Sequence, residues 1–437
     1  MAAIWSERAT IEGWLRTEAA LALAQSDAGV LDAADAAAIA EGCSVDRVDR
    51  DLLWREARNV GYPILPLVRQ IAAALPEGPN GRVHYGATTQ DIMDTTLSMQ
   101  LGASCDRACE LLTLLGDALS ELVREHASTV MAGRTHAQQA VPTTFGAKMA
   151  VYLDEVRRQL EVMRALSIDV RVVSLFGAGG TSAALGDRSL LVRAALARRL
   201  GLADTHVPWH VARGRVTGAG LSLAVVAAMC ARFAREVVDL SRTEIAEVKE
   251  RDGHHRGASS TMPHKINPIA SESVVGLAVS ASGAAASLLR SMEAGHERAA
   301  GEWQIEWVAF PSVCVLTGTA LALTVETAAS LQVRPEAMAR NLGAESGLIM
   351  SEAFMMRLAP SVGRERAHDL VYAAATQSRR TGESLRDALG TLIPPELAGA
   401  DLREPRDYLG EAERMCSATV QAWERVSSPH ETRTGPR

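Results

Sequence analysis

A loop between residues 256 and 268 carries side chains that could remove a proton and stabilise an anion. Its small residues, hydroxyls and prolines fit neither a helix nor an alternating strand. Asn267 and Pro268 suit the cap and first turn of the following helix, which would place Lys265 beside the positive end of a helix dipole. Ser259 could then take a proton next to a bound carboxylate. Residue types alone leave a plainer alternative open, a surface loop that leads into a capped helix.

The order of the residues in this loop is more specific than their types. Residues 257 to 268 read Gly-Ala-Ser-Ser-Thr-Met-Pro-His-Lys-Ile-Asn-Pro. This run resembles the Gly-Ser-Ser-x-Met-Pro-x-Lys-x-Asn signature of the fumarase/aspartase superfamily, and only Ala258 interrupts the usual pattern. So many specified types in so short a run are a far stronger signal than a lone glycine pattern.

The resemblance implies a role for several side chains of this loop. Ser259, as the first of the paired serines, would be the base that removes the proton. Lys265 and Asn267 would stabilise the aci-carboxylate, the form in which the substrate holds the developing charge. Ser260 and Met262 would contact the substrate. The reaction implied is an anti β-elimination from a substituted succinate, and we expect no metal or organic cofactor because a carboxylate already activates the proton.

A histidine lies in a second segment, residues 133 to 146. A lone histidine before a proline is usually a satisfied loop residue, although its pKa near neutral suits protonation of a departing amine. The segment reads Gly-Arg-Thr-His-Ala-Gln-Gln-Ala-Val-Pro-Thr-Thr-Phe-Gly, which resembles the superfamily's Gly-Arg-Thr-His-x-Gln-x-x-x-Pro-Thr-Thr-x-Gly. The resemblance implies that His136 is the general acid or orients the leaving group. It also implies that Glu272, which equally suits the start of its helix, orients this histidine, and that Thr135 and Gln138 contact substrate.

Hydroxyl groups follow a glycine in a third segment, Arg-Val-His-Tyr-Gly-Ala-Thr-Thr-Gln-Asp at residues 82 to 91. Thr88 and Asp91 have the spacing of a helix-capping pair, which is the plainer explanation. The segment resembles the His-x-Gly-x-Thr-Ser-x-Asp motif of the adenylosuccinate lyase and carboxymuconate cycloisomerase branches. That resemblance implies substrate contacts for Thr88 and Thr89, with His84 as a neighbour whose charge can be tuned.

Two further segments bear on the branch and on the reaction. Arg298 ends a His-Glu-Arg run that precedes Trp-Gln-Ile-Glu-Trp, and both this stretch and the Val-Pro-Trp-His at residues 207 to 210 resemble the cycloisomerase side. The serine-rich segment with which adenylosuccinate lyases hold a nucleotide phosphate is missing. Bacterial carboxymuconate cycloisomerases, however, tend to have tryptophan where this chain has His136. Two reactions therefore stay open: release of fumarate from an N-substituted aspartate, adenylosuccinate-like or nitrosuccinate-like compound, and cycloisomerisation of 3-carboxy-cis,cis-muconate.

The composition excludes several classes of partner. With 437 residues and a net charge of -7, the chain lacks the basic footprint of a nucleic-acid-binding protein. The six cysteines form no Cys-x-x-Cys pair, which argues against zinc ribbons and disulfide frameworks. No signal peptide is visible, and the uncharged run at residues 307 to 325 holds a proline and hydroxyls that favour a buried helix over a membrane span. We expect a cytoplasmic protein with a small dicarboxylate ligand, for which a positive pocket could come from Arg134, Arg256, Lys265 and Arg298.

Long gaps between prolines predict an all-α chain. Only five of the sixteen prolines lie between Pro79 and Pro335, and proline breaks helices. We predict long helices at residues 95–125, 144–167, 221–250 and 271–291, of which the third would be about 45 Å long. Several are apolar and rich in alanine nearly all round, which favours a bundle core shared between subunits.

The predicted organisation has three helical domains, residues 1–98, 99–332 and 333–437. The central domain is the long-helix bundle that carries the signature loop, and the polar end from Ser427 to Arg437 is expected to fray. The resemblance implies a homotetramer in which three segments, around Thr88, His136 and Ser259, meet from different chains.

Two other classes of protein compete with this interpretation. The apolar run and Gly-x-Gly turn at residues 170 to 181 imitate the start of a dinucleotide-binding fold. Its third glycine is misplaced, however, and the surrounding chain shows no alternation of strands with helices. The second rival is a non-catalytic helical oligomer, since lens crystallins belong to the superfamily. A purely structural role would not demand the matching set of Ser259, Lys265, Asn267, His136 and Glu272.

Overall fold

Helices form most of the chain, as the spacing of the prolines predicts. The structure is a computed structural model that describes residues 1–393 and 404–427, so most of the end expected to fray lies outside the described residues. In chain order the α-helices of that part are α1 (Glu7–Asp27), α2 (Ala33–Gly42), α3 (Arg50–Val60), α4 (Ile64–Ala73), α5 (Thr89–Glu125), α6 (Phe145–Asp169), α7 (Ser189–Leu200), α8 (Gly214–Leu240), α9 (Ile269–Ser291), α10 (Glu302–Ala329), α11 (Pro335–Leu342), α12 (Ser351–Val362), α13 (Arg364–Thr381), α14 (Leu385–Leu392) and α15 (Ala412–Ser427). The all-α prediction is confirmed.

Three of the four predicted long helices lie where expected, and the fourth ends early. Helices α5, α6 and α9 occupy the predicted positions, but the single helix predicted over residues 221–250 is wrong because α8 stops at Leu240. The chain then turns through Ala246, whose φ is 51°, and the backbone N–H of Glu247 donates to the Leu240 carbonyl over 2.9 Å. The turn frees Glu247 and Glu250 for contacts with distant residues, and no proline or glycine in the sequence marks it.

Short strands were not predicted, and the described residues form four of them. Strand β1 (Val130–Thr135) pairs antiparallel with β2 (Gln138–Thr144), and β3 (Val248–Lys249) pairs antiparallel with β4 (Gln332–Val333). The first pair is a hairpin that contains the predicted histidine segment. The residues of that segment are therefore held by a backbone ladder rather than by an irregular loop.

The described residues group into two compact units. The first comprises residues 1–110, 160–230 and 276–321, and the second comprises residues 111–159, 231–275 and those from 322 onward. The division into three domains along the chain stays a prediction.

Each unit has its own apolar core. In the first unit, α1 packs on α2 and α7, and its core includes Ile11, Leu15, Leu53, Leu67 and Leu196. In the second, α12, α13 and α14 pack on one another around Phe354, Leu358, Leu370, Leu385 and Leu389. Burial of each such side chain contributes about 1.5–3 kcal/mol, so each core stabilises its own unit.

Three helices, α8, α9 and α10, are long and apolar enough to cross a membrane by length and composition alone. In their most apolar windows, 67% of the residues of α8 and 50% of those of α10 are buried within the chain, against 28% of those of α9. Helix α10 contains the uncharged run at residues 307–325, which was predicted to be helical, and accommodates Pro311 inside it. That the chain lacks a membrane span stays a prediction, and so does the assembly that would cover the open face of α9.

Candidate active site

The signature loop is closed at its neck. The backbone N–H and the side-chain amide of Asn267 both donate to the Gly257 carbonyl, over 2.9 and 3.1 Å, and Ala258 forms an isolated antiparallel bridge with Ile266. Gly257 has a φ of 70°, and a Cβ added there would lie 2.4 Å from the Asn267 carbonyl oxygen. The neck therefore requires glycine, both for its backbone conformation and for the close approach of the two ends.

Ser259 lies just inside this neck, and its side-chain oxygen has two backbone donors. The N–H groups of Thr261 and Met262 donate to Ser259 Oγ over 3.3 and 3.1 Å. Hydrogen bonds to the ionised form of an acid favour that form, so this arrangement suits a serine that must lose its proton. Ser260 is exposed and has no such pair of donors in the described part of the chain.

Helix α9 begins directly after the loop, but the loop does not cap it. The predicted capping by Asn267 is wrong, because the carboxylate of Glu250 accepts from the backbone N–H groups of Ala270 and Ser271 over 3.2 and 2.8 Å. Asn267 instead donates its side-chain amide to the loop neck. The chain's own carboxylate thus occupies the helix N-terminus, which was predicted to be open to a ligand.

Positive charge in the loop comes from Lys265. This side chain is exposed and makes no ion pair with any residue that the structure describes. Arg256, by contrast, lies 3.6 Å from Glu250 and is partly neutralised by it. Lys265 is the loop cation that remains available to a bound carboxylate.

The tip of the β1–β2 hairpin presents His136. Thr135 pairs with Gln138, and the two residues between them, His136 and Ala137, have φ values of 50° and 62°. Positive φ at both central positions is typical of the type I′ turn, whose twist matches that of the flanking strands. The tip residues Thr135, His136 and Gln138 are all exposed, so the imidazole stands clear of its own chain.

Arg134, at the base of this hairpin, binds a carboxylate of its own chain. Its guanidinium donates to both oxygens of the fully buried Glu247 over 2.8 and 2.7 Å, and Asn341 donates to the same carboxylate over 2.8 Å. A bidentate pair of this kind is directional, so it fixes the hairpin relative to the segment before β3. In the structure, Arg134 anchors the hairpin. Its contact with substrate stays a prediction.

In the first unit, Asp91 organises the segment that carries Thr88. Its Oδ2 accepts from the backbone N–H groups of Thr88 and Gly177 over 3.1 and 2.9 Å, and its Oδ1 lies 2.8 Å from His210 Nε2. Burial raises the pKa of Asp91, but the hydrogen bonds and charge of its partners outweigh this and hold that pKa below its usual value. The predicted capping pair therefore also ties the start of α5 to the glycine-rich turn.

That glycine-rich turn binds an arginine rather than a nucleotide. Arg298 donates to the Gln90 side chain and to the Ala178 carbonyl, each over 3.0 Å. The described residues around the turn form no parallel sheet of the kind that a dinucleotide site requires. Through Gln90, Asp91 and this turn, the first unit links Arg298 to the segment that carries the half-buried Thr88 and Thr89. In the described part, neither threonine hydroxyl is engaged by another residue.

His84 pairs with a buried glutamate. Its Nδ1 lies 2.6 Å from Oε1 of Glu18, whose side chain is 1% exposed. The backbone of His84 has a φ of 64°. Burial by itself lowers the pKa of His84, but the charge and hydrogen bond of Glu18 outweigh it and raise that pKa above its usual value. His84 is thereby kept positively charged over a wider pH range beside the predicted substrate-binding threonines.

We expect Glu18→Gln to lower the pKa of His84, because it removes the charge that holds the proton. A histidine whose pKa is raised on folding stabilises the fold fully below its unfolded pKa of about 6.5, and this stabilisation is lost as the pH rises through the folded pKa. The wild type should therefore exceed Glu18→Gln in unfolding free energy by more at pH 6 than at pH 9. Proton NMR titration of the His84 ring and urea unfolding at both pH values test this. An unchanged His84 pKa in the variant would contradict it.

The predicted site residues are divided between the two units. His84, Thr88, Thr89 and Arg298 belong to the first, and the others to the second: Arg134, Thr135, His136, Gln138, Ser259, Ser260, Met262, Lys265, Asn267 and Glu272. Within the second unit, no hydrogen bond among the described residues joins His136 to Ser259, Lys265 or Glu272. The orientation of His136 by Glu272 stays a prediction.

Comparison with known proteins supplies the family. A family model described as Lyase matches residues 1–283, which is more than half of the chain, and one described as Adenylosuccinate lyase C-terminus matches residues 347–419. The chain belongs to the fumarase/aspartase superfamily. It is an enzyme, a member of the group of lyases and cycloisomerases that the sequence motifs indicate.

Relatives within the superfamily cover nearly the whole chain. The 3-carboxy-cis,cis-muconate cycloisomerase of Pseudomonas aeruginosa is 38% identical over 421 residues, which are 94% of this chain and 92% of that protein. The adenylosuccinate lyase of Methanothermobacter thermautotrophicus is 35% identical over 429 residues, 96% of each chain. The crystal structure of 3-carboxy-cis,cis-muconate lactonizing enzyme from Pseudomonas putida matches with a TM-score of 0.91 at 34% identity, over 98% of this chain and 97% of that one.

The superfamily motifs did not reveal every residue that supports the site. Glu247 and Glu250 lay within a stretch predicted as helix, and Glu18 had no motif around it. Gln90 and His210 lay inside quoted motifs, but their spacing gave no hint that they contact one another. In each case the partner is distant in sequence, so only the folded chain brings the pair together.

Proposed function

We propose that the enzyme catalyses an anti β-elimination from a substituted succinate and releases fumarate. The observation that carries the proposal is the environment of Ser259, whose oxygen accepts two backbone N–H groups a few residues before the unpaired Lys265. Preorganised donors of this kind stabilise charge in a transition state without rearranging. Of the two predicted serines, Ser260 does not have this pair of backbone donors among the described residues.

The proposed step moves one proton and breaks one bond. Ser259, as the alkoxide, takes the proton from the carbon next to a substrate carboxylate, and Lys265 stabilises the resulting aci-carboxylate. The second hydrogen of the Asn267 side-chain amide, which is not used at the loop neck, is available to the same oxygens. The electron pair then forms the double bond of fumarate as the C–N bond breaks, and His136 gives a proton to the departing nitrogen.

We further propose that the active enzyme is a homotetramer whose sites are shared between subunits. Helix α9 exposes Val279 (61%) and Leu289 (49%) in the single chain, and α10 exposes Val308 (71%). Apolar side chains along a long helix need neighbours, and a second copy of the bundle supplies them. The same assembly would bring His136 of one subunit to Ser259 and Glu272 of another.

Cycloisomerisation of 3-carboxy-cis,cis-muconate is the second candidate, and the relatives named above favour it at least as strongly. It uses the same parts. A carboxylate oxygen of the substrate adds to a double bond, and the adjacent carbon gains a proton from the Ser259 hydroxyl. Lys265 again stabilises the aci-carboxylate, and no departing nitrogen needs a proton from His136.

An assay of four substrate types separates the candidates. The purified enzyme is incubated with adenylosuccinate, N-substituted aspartates, nitrosuccinate and 3-carboxy-cis,cis-muconate, while fumarate and lactone are followed by absorbance and chromatography. We expect fumarate from at least one substituted succinate. Lactone from the muconate alone would identify the cycloisomerase instead. Turnover of none of the four would overturn both candidates.

A further inference from the structure

A cavity in the first unit is lined by none of the predicted site residues. It has a volume of about 610 Å³ and lies among α1, α3, α5 and α10. Its lining includes five of the seven tryptophans of the chain, together with a tyrosine: Trp5, Trp14, Trp54, Tyr62, Trp303 and Trp307. Its size is that of an ordinary small-molecule site, and its walls are unusually aromatic.

The aromatic rings meet at varied angles. Tyr62 stacks on Trp303 with ring centroids 5.7 Å apart, and Trp307 meets Trp303 edge-on at 5.1 Å. On the other side, Trp14 and Trp54 form an edge-on pair at 6.2 Å. Several aromatic rings therefore line one space, and the negative face of an aromatic ring attracts a cation.

Two carboxylates form part of the lining and share one guanidinium. Asp94 and Glu306 are 1% and 2% exposed, and Arg213 donates to both, over 2.8 Å to Asp94 Oδ2 and 2.5 Å to Glu306 Oε2. With both acids ionised, the cluster carries one net negative charge away from water. Burial raises the pKa of Asp94 to about 6, against the opposing charge of Arg213 and with added repulsion from Glu306. Asp94 is therefore mostly ionised at neutral pH, which leaves the cluster short of one positive charge.

The other charged residues of the lining do not supply the positive charge that the cluster of Asp94, Glu306 and Arg213 lacks. Glu7 and Arg58 have opposite charges, and Glu7 is already held by Trp54 Nε1 and Arg50. Arg58 is exposed, so water screens its charge. The net negative charge of the buried acids would repel an anion in the cavity and attract a cation.

We propose that this cavity binds a small monovalent organic cation, of the quaternary ammonium class, between the tryptophan faces and the buried carboxylate pair. The rings supply cation–π attraction and exclude water, and the unbalanced charge of Asp94 and Glu306 supplies the long-range attraction. The ligand class differs from the dicarboxylate of the proposed reaction. The cavity is therefore a second site, and its occupancy does not depend on which reaction the enzyme catalyses.

Choline and 3,3-dimethyl-1-butanol provide the test, since they have the same shape and only choline is charged. Each is titrated into the full-length enzyme at pH 7.5, with calorimetry and tryptophan fluorescence as readouts. We expect saturable choline binding with one site per chain, at least about tenfold tighter than binding of the neutral alcohol. Equal binding of both compounds, or no binding of choline, overturns the proposal.

Variants locate the site. Trp307→Leu removes one ring face and Asp94→Asn removes the unbalanced charge, and each is expected to weaken choline binding at least tenfold. Tyr372→Leu, at a side chain 68% exposed on α13, is the matched control and should bind choline like the wild type. Circular dichroism checks the fold of each variant. Should one variant not fold, the other decides, and full choline affinity in a folded Trp307→Leu or Asp94→Asn protein overturns the assignment.

Discussion

Ser259→Ala is expected to lower kcat by a factor of about 100 to 10,000 while KM changes little. A positioned base accounts for a rate factor of that size, and alanine cannot take the proton. The loop itself should keep its shape, because its neck is closed by Gly257 and Asn267 rather than by the serine. Steady-state kinetics with whichever substrate the assay identifies, together with circular dichroism, measures both effects.

Two other serines serve as comparisons for this variant. Ser260→Ala should retain a larger share of the activity, because the described residues give Ser260 no pair of backbone donors like that at Ser259. Ser282→Ala, in the middle of α9, removes only a hydroxyl bonded to the Ala278 carbonyl and should be close to wild type. Near-normal turnover by Ser259→Ala combined with loss of activity in Ser260→Ala would show that Ser260, not Ser259, is the base.

Arg213→Met is expected to produce the largest loss of stability, about 3–5 kcal/mol of unfolding free energy. The guanidinium is 2% exposed and is the shared partner of Asp94 and Glu306, so its removal leaves two buried carboxylates without compensation. Urea unfolding at pH 7.5 measures the loss. Arg242→Met breaks an exposed ion pair with Asp239 and should cost less than about 1 kcal/mol, which makes it the matched control.

The deficit of Arg213→Met should also depend on pH. Without the guanidinium the folded-state pKa of Asp94, which burial already raises, rises further, since neighbouring positive charge no longer favours ionisation. An acid with a raised folded pKa is most favourable to folding below its unfolded pKa, and that advantage is lost as the pH rises through the folded value. The gap to wild type should thus narrow as the pH falls from 7.5 toward about 4. A gap that stays constant would show that packing, not charge, is responsible.

Contiguous features of this chain could be predicted from its sequence, and features that join distant residues could not. The proline gaps gave α5, α6 and α9, and the signature run identified the loop with Ser259 and Lys265. The end of α8 at Leu240 was missed because no proline or glycine marks the turn that follows it. This turn places Glu247 against Arg134, a residue more than 100 positions earlier in the chain. The capping of α9 failed for the same reason, since Glu250 competes successfully with the nearer Asn267.

The candidate site shows the same division. Thr88, His136 and Ser259 were each predicted from a local motif, and their roles stay predictions. The supports of those residues are pairs such as Asp91 with His210 and His84 with Glu18, which are distant in sequence. The tryptophan cavity draws on separate stretches of the chain, and none of them signals it alone.

The closed neck at Gly257 and Asn267 has a consequence for engineering. A segment whose two ends are already bonded to each other can be transplanted as a cassette, because the recipient scaffold does not have to bring those ends together. Exchange of residues 258–266 between this enzyme and a cycloisomerase relative should therefore leave both proteins folded. Such chimaeras would reveal how much of the choice of reaction resides in these nine residues and how much in the rest of the chain.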